Sequence, residues 1–156
     1  MEDTILLAAA LQNWERHSVH ALAARDVAAT VAKGSGNRLQ VLSVYEYDAP
    51  TYGSGLSLEM AARVREDEMR RADQLMDRRL DEYVAPLKQD GIEVTCLLRT
   101  GNPREVIVET ALRILADVLI IGSHSKRGIF DLALGGTAQQ ISRHAPCPVM
   151  IVSPKP

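Results

Sequence analysis

Gly122-Ser123-His124-Ser125-Lys126-Arg127-Gly128 is followed, six residues on, by Gly135-Gly136-Thr137. Residue types in this order suit the holding of a phosphate. Glycine has no Cβ, so the backbone can approach a ligand closely and adopt positive φ. Thr137 with Gln140 three residues later matches a capping box, Thr137 being the expected N-cap. The amides of the helical turn that follows would point into the loop, where an anion is favoured. Lys126 and Arg127 add positive charge beside it. The same residues also suit a connecting turn whose basic side chains face water, and spacing alone leaves both readings open.

Other chemistry-bearing residues form weaker patterns. His124 lies in the same loop, either against a phosphate or facing solvent. His17 and His20 are three apart, a spacing that suits a metal only with further ligands, so they read as surface histidines. Tyr45, Tyr47 and Tyr52 surround a loop over 46–57 and would either lid an adenine or pack that loop onto the domain. Ser123 and Ser125 flank His124, but adjacency along a chain does not make a catalytic triad. There is no Walker sequence, no GxGxxG after the first strand and no GxSxG elbow. The end of the first strand also lacks the carboxylates of a phospho-receiver. These residues give no reason to expect an enzyme; any ATP hydrolysis would be slow and incidental.

The elements that must position the glycine loop follow from periodicity. Thr4–Ala9 reads as a first strand, and Glu15–Lys33 as a helix with Ala21, Ala24, Ala28 and Val31 on one face, stopped by Gly34 and Gly36. Arg38–Tyr45 is a second strand. A long charged helix spans Leu58–Leu87, with an expected buried stripe of Leu58, Ala62, Met69, Ala72, Met76, Leu80, Tyr83 and Leu87. Its other faces read as solvated, with i,i+4 ion pairs. Glu93–Arg99 is a third strand. Asn102 as N-cap, Pro103 at the first helical position and Glu105 in the first turn then open a third helix. Val118–Ile121, apolar throughout, is a central fourth strand; Thr137–His144 is a short helix and Pro148–Val152 the last strand. Strands alternating with helices predict an α/β fold with a parallel sheet covered on both faces. Ligands of such sheets sit beyond the carboxyl ends of the strands, where the strand order reverses.

Composition bounds the rest. The 156 residues suit one domain, 1–156, with 46% hydrophobic and 24% charged residues. A formal net charge of −2 gives no electrostatic case for a nucleic acid or an anionic membrane as partner. No stretch approaches the length of a membrane span, and Ile5–Leu11 follows Glu2 and Asp3 rather than basic residues, unlike a signal peptide. Cys96 and Cys147 show no metal or CxxC spacing and lie in or beside apolar runs, which suits a reduced, cytoplasmic setting.

Ala116-Asp117-Val118-Leu119-Ile120-Ile121-Gly122-Ser123-His124, the glycine loop, and His144-Ala145-Pro146-Cys147-Pro148-Val149-Met150-Ile151-Val152 together resemble the C-terminal signature of the universal stress protein family. Gly101-Asn102-Pro103-Arg104-Glu105-Val106-Ile107 resembles the family's turn into its third helix. The match is specific over 92–153, looser over 1–45, and only a matter of pattern between them.

The resemblance implies a five-stranded parallel sheet in the order 3-2-1-4-5, Rossmann-like, of the adenine nucleotide α-hydrolase type. It implies an adenine nucleotide, ATP or AMP, with Mg²⁺ if ATP is bound. ATP-binding members share Gly, two residues, Gly, nine residues, Gly, then Ser or Thr; this falls on Gly122, Ser125, Gly135 and Gly136. The second and fourth positions depart from that pattern. Such members also carry an Asp at the end of strand one, where this chain has Ala10. The implied nucleotide-binding set is Ala8, Ala9, Ala10, Val44, Ile121, Gly122, Ser125, Lys126, Arg127, Gly135, Gly136 and Thr137. Losing the Asp and the hydroxyl would weaken binding by roughly two to three orders of magnitude. Thr137, Gln12 or Asn13 are the candidates to compensate, although capping competes for the Thr137 oxygen.

A homodimer is implied too, through Val149, Met150, Ile151 and Val152, an apolar strand at the sheet's edge. The alternative is that Pro154, Pro156 and the tail merely end the strand against its own domain. The expected function is a stress-response protein binding an adenine nucleotide with modest affinity. The alternative is a dimeric interaction module of the same fold that no longer binds nucleotide.

Overall fold

Side chains of a strand alternate between its two faces, and the first strand of the protein sorts its residues accordingly. In the computed structural model, which describes residues 3–11, 16–47, 55–123 and 135–156, β1 (Thr4–Ala8) sends Ile5 and Leu7 into one apolar cluster and Leu6 and Ala8 into another. The remaining elements are α1 (Val19–Ser35), β2 (Arg38–Tyr45), α2 (Leu58–Gln89), β3 (Val94–Thr100), α3 (Pro103–Arg113), β4 (Val118–Gly122), α4 (Gly136–His144) and β5 (Val149–Val152). The strands form one parallel sheet in the order β3-β2-β1-β4-β5. α1 and α2 close the first cluster, and α3 and α4 the second. Fold class and strand order are those expected.

Local chemistry explains most boundaries. α1 starts later than Glu15, because the Ser18 hydroxyl accepts from the Ala21 amide at 3.1 Å and caps the helix there. Its far end runs past Gly34 to Ser35, and Gly36 closes it at φ 70°, a left-handed turn that glycine adopts without a Cβ clash. The buried face is Ala21, Ala24, Ala28 and Ala32, with Ala32 rather than Val31 completing it. At α3 the Asn102 side chain accepts from the Arg104 amide at 2.9 Å and Pro103 opens the first turn, as expected. β1 ends one residue earlier than Ala9, whose amide still donates to the Leu42 carbonyl at 2.8 Å.

The expected stripe of α2 is buried over only part of its length. Met76, Leu80, Tyr83, Val84 and Leu87 are buried, whereas Leu58 is 92% exposed and Ala62 and Met69 are also exposed. Length is the reason. A helix of 32 residues is about 48 Å long, and the eight-residue β2, the longest strand of the sheet, spans only about 26 Å. The N-terminal part of α2 therefore runs beyond the surface that could cover it. Where α2 does pack, the Tyr83 hydroxyl donates to the Ala21 carbonyl at 2.6 Å, and Arg25 donates to the Tyr83 carbonyl at 3.0 Å.

Candidate functional site

β1 lies between β2 and β4, and the strand order reverses between β1 and β4, because α1 after β1 packs on one face of the sheet and α4 after β4 on the other. Register places Ala8 opposite both Leu42 and Ile121, bringing the ends of β1, β2 and β4 to one rim. Ala8, Val44 and Ile121 sit in the apolar cluster under α3 and α4, and Ala9 in the opposite one; all four are buried. Ala10 is half-buried, at the point where such a family's Asp would stand. Ser125, Lys126 and Arg127 lie outside the described residues, as do His124, Gln12, Asn13 and Tyr52.

The loop after β4 is closed at its neck. The Ser123 amide donates to the Val152 carbonyl at 2.8 Å, and the Ser123 carbonyl accepts from the Gly135 amide at 3.0 Å. Gly122 is needed for a close approach within the protein itself. A Cβ there would meet His20 Cβ and the His20 carbonyl oxygen at 3.3 Å. None of Gly122, Gly135 and Gly136 takes positive φ; Gly135, for one, is extended at φ −59°. The expectation of left-handed glycines at these positions is thus corrected.

The capping box is corrected as well. Gly135 is the N-cap, α4 begins at Gly136, and among the described residues no side chain caps its first turn. Extended backbone is open to glycine as to any residue, so the helix starts ahead of the threonine. Gln140 instead accepts from Arg104 Nη1 at 3.3 Å. Thr137, half-buried in the first turn, has no hydrogen bond from its hydroxyl among the described residues. The competition that capping would have imposed on this oxygen is absent.

Arg104 was not among the expected site residues. Its guanidinium lies over the first turn of α4, where a Cβ on Gly136 would come within 2.9 Å of Nη2. The side chain therefore sits beside the space left by the missing Ser or Thr. A hollow of about 350 Å³ follows this surface, lined by Arg104, Gly136, Gln139, Gln140, Arg143 and His144. One signal was readable in the chain: a cation in the first turn of α3, where the helix dipole disfavours it.

The two N-terminal histidines are not plain surface residues. His20 Nδ1 is 3.1 Å from the Ser123 hydroxyl, and Ser123 is buried. His17 meets Tyr83 edge to face at 5.3 Å between ring centroids. Burial holds the His17 pKa below its usual 6.5, and nearby Arg25 lowers it further. Tyr45 and Tyr47 are tied down by α2: their hydroxyls donate to Asp73 at 2.9 Å and Glu68 at 3.0 Å. Burial, then the Asp73 bond, pushes Tyr45 up to about 12. Both hydroxyls are thereby engaged by α2. Cys96 and Cys147 are half-buried free thiols whose pKa burial raises, consistent with small packing residues.

At the outer edge, β5 pairs only with β4 among the described strands. Val152 is buried in the core, Val149 and Ile151 are half-buried against α3 and α4, and Met150 is 38% exposed. No helix among the described residues is long and apolar enough to cross a membrane.

Comparison with known proteins fits this arrangement. The profile of the universal stress protein family matches residues 4–153. The chain belongs to the universal stress protein family. A universal stress protein of Thermus aquaticus, encoded in the 3′ region of a QAH/OAS sulfhydrylase, is 31% identical over 135 residues, covering 86% of this chain and 91% of that one. Among solved structures, protein MJ0577 of Methanocaldococcus jannaschii is similar at a TM-score of 0.78 and 18% identity, covering 100% of this chain and 99% of that chain. A universal stress protein from Archaeoglobus fulgidus, solved in complex with dAMP, is similar at a TM-score of 0.60 and 19% identity, covering 96% of this chain and 97% of that chain. At these identities the structural likeness establishes the shared fold of universal stress proteins.

Proposed function

We propose that this universal stress protein is a binding protein rather than an enzyme, and that it takes an adenine nucleotide at the carboxyl rim of β1 and β4. The observation that carries the reading is the bare first turn of α4: its amides have no side-chain cap and follow the neck at Ser123 and Gly135. Such a turn favours a phosphate. The Thr137 hydroxyl supports it, standing one residue beyond the missing family hydroxyl with no capping duty. That an Archaeoglobus fulgidus relative was solved with dAMP supports the ligand class. Ala10 argues for modest affinity, since a hydrogen bond to a charged Asp contributes about 1.5–3 kcal/mol. Mg²⁺ would accompany ATP but not AMP.

The protein acts, in this reading, as a cytoplasmic homodimer in a stress response. Edge strand β5 supports the dimer, because its outer row of backbone groups lacks a partner strand among the described residues. Met150 is the side chain such pairing would cover first.

Titration with ATP, ADP, AMP and cyclic AMP tests the nucleotide, with Gly135→Val as a blocked-neck control. Saturable binding by the wild type and its loss in the control is the expected outcome. A melting curve unmoved by millimolar ATP or AMP with Mg²⁺ would overturn it and favour a second reading, an interaction module for protein partners. One observation favours that class: Leu58, Met60, Val64 and Met69 are all exposed on the overhanging part of α2.

A further inference from the structure

We propose that the groove between α3 and α4 is a phosphoryl-anion site in its own right, with Arg104 as its principal contact and Arg143 and His144 as flanking donors. This inference stands apart from the nucleoside rim and does not need a nucleoside to be bound.

Arg104 is the residue that local rules leave unexplained. It occupies the first turn of α3, whose dipole is positive at that end, so its charge is disfavoured there. Its guanidinium then reaches across to the first turn of α4, a second positive helix end with no side-chain cap. Among the described residues no carboxylate lies within 4 Å of Arg104, and its side chain's hydrogen bond goes to the neutral Gln140 amide at 3.3 Å. Some arginines are paired, as in Arg63 with Glu59 and Arg113 with Glu109, whereas Arg25, Arg79 and Arg99 bond main-chain carbonyls; Arg104 differs from both groups in lying against a second helix end. Here a cation stands between two positive helix ends, and Glu105, the acidic residue of the same first turn, forms no ion pair with it.

An anion relieves that arrangement. The hollow of about 350 Å³ beside Arg104 has room for one, and Arg143 and His144 stand on its wall. A guanidinium fork can give two parallel N–H bonds to the oxygens of one phosphoryl group. Gly136 makes the geometry possible, since a side chain there would collide with Arg104 Nη2. In this chain the Arg104 guanidinium thus takes up space that a side chain at position 136 would need. The shared chemistry is a phosphoryl oxyanion, supplied either by the tail of a nucleotide at the β4 rim or by a separate phosphate compound.

Calorimetric titration with pyrophosphate and inorganic phosphate at low chloride tests the site, on wild type, Arg104→Ala, Arg104→Lys and Arg143→Ala. Arg104→Ala is expected to weaken pyrophosphate roughly ten- to a hundredfold, the loss of charged hydrogen bonds. Arg104→Lys retains the charge but not the fork and falls between. Both positions are exposed, so melting curves of the variants should match wild type and exclude a folding defect. Equal pyrophosphate affinity in wild type and an Arg104→Ala, Arg143→Ala double variant overturns the proposal, as does no binding by wild type. Adenosine, which lacks phosphate, separates the two readings. If adenosine binds and pyrophosphate does not, the groove proposal fails and the nucleotide reading stands. Pyrophosphate binding that depends on Arg104 upholds the groove even where adenosine fails. Competition between ATP and pyrophosphate then assigns the anion to the nucleotide tail, and simultaneous binding to a separate compound.

Discussion

His20 Nδ1 lies 3.1 Å from the Ser123 hydroxyl, joining the first turn of α1 to the end of β4 across 103 residues of chain. The bond lies beside Gly122, where an added Cβ would come within 3.3 Å of His20 and oblige it to shift by a few tenths of an ångström. The entrance of one helix and the exit of the central strand are held together next to the proposed rim.

Two substitutions should separate the bond from the close approach. Ser123→Ala removes one partner of a neutral hydrogen bond and is expected to cost about 0.5–1.5 kcal/mol. Gly122→Val forces side-chain atoms against the His20 backbone and should cost more, roughly 1–3 kcal/mol. Urea unfolding of both variants checks the order; a Gly122→Val protein as stable as wild type contradicts the packing described.

The protein should lose stability from His17 as the pH falls. Burial beside Tyr83 holds the folded His17 pKa below 6.5, so around that pH the unfolded chain binds the extra proton. Stability from this group is therefore fully present above the unfolded pKa and declines as pH drops through 6.5 toward the folded value. Replacing His17 by Gln should flatten the pH dependence of stability, so the wild-type-minus-variant difference in urea midpoint falls between pH 8 and pH 5. An unchanged slope would show that other groups carry the dependence.

Ser43 offers a stabilising change. Its hydroxyl is fully buried in β2 and has no hydrogen-bond partner among the described residues. Ser43→Ala removes an unsatisfied polar group and should raise stability by about 1 kcal/mol. A lower urea midpoint in this variant would mean that the hydroxyl is satisfied after all.

Along α2 the same substitution should have two different effects. Leu80→Ala, at a position 1% exposed, is expected to cost about 2–5 kcal/mol. Leu58→Ala, at 92% exposure, should stay within about 0.5 kcal/mol of wild type. Comparable losses at both sites, measured by thermal melts, would place the overhanging part of α2 against a surface of a second copy.

What could be read from the chain depended on how far away the deciding contact lay. β2 was legible to the residue, because Leu39, Val41, Leu42 and Val44 form an apolar run between turn residues. Asn102 and Pro103 gave the start of α3, since capping is settled within one turn. α2 shows where such reading stops: periodicity marks which face is apolar, but the extent of the sheet beneath it is a tertiary quantity. The α4 cap failed for a local reason, as Gly135 competes with Thr137 two residues away. Within the site, Gly122, Gly135 and Gly136 stood out by type and spacing and Ala10 through resemblance, whereas Arg104 and His20 matter through contacts with other elements that no spacing rule encodes.

The short bond between the Ser123 carbonyl and the Gly135 amide has a consequence for how such a protein changes over time. Ser123 and Gly135 form a clasp, and the Ser123 amide anchors it to the Val152 carbonyl. Lengthening or rewriting the sequence between the two residues adds little to the entropy of closing the ring, about 0.6 kcal/mol per doubling. The sheet beneath would scarcely register the exchange. The clasp fixes both ends of the intervening sequence, so substitutions between them leave the sheet and helices that carry the clasp as they were.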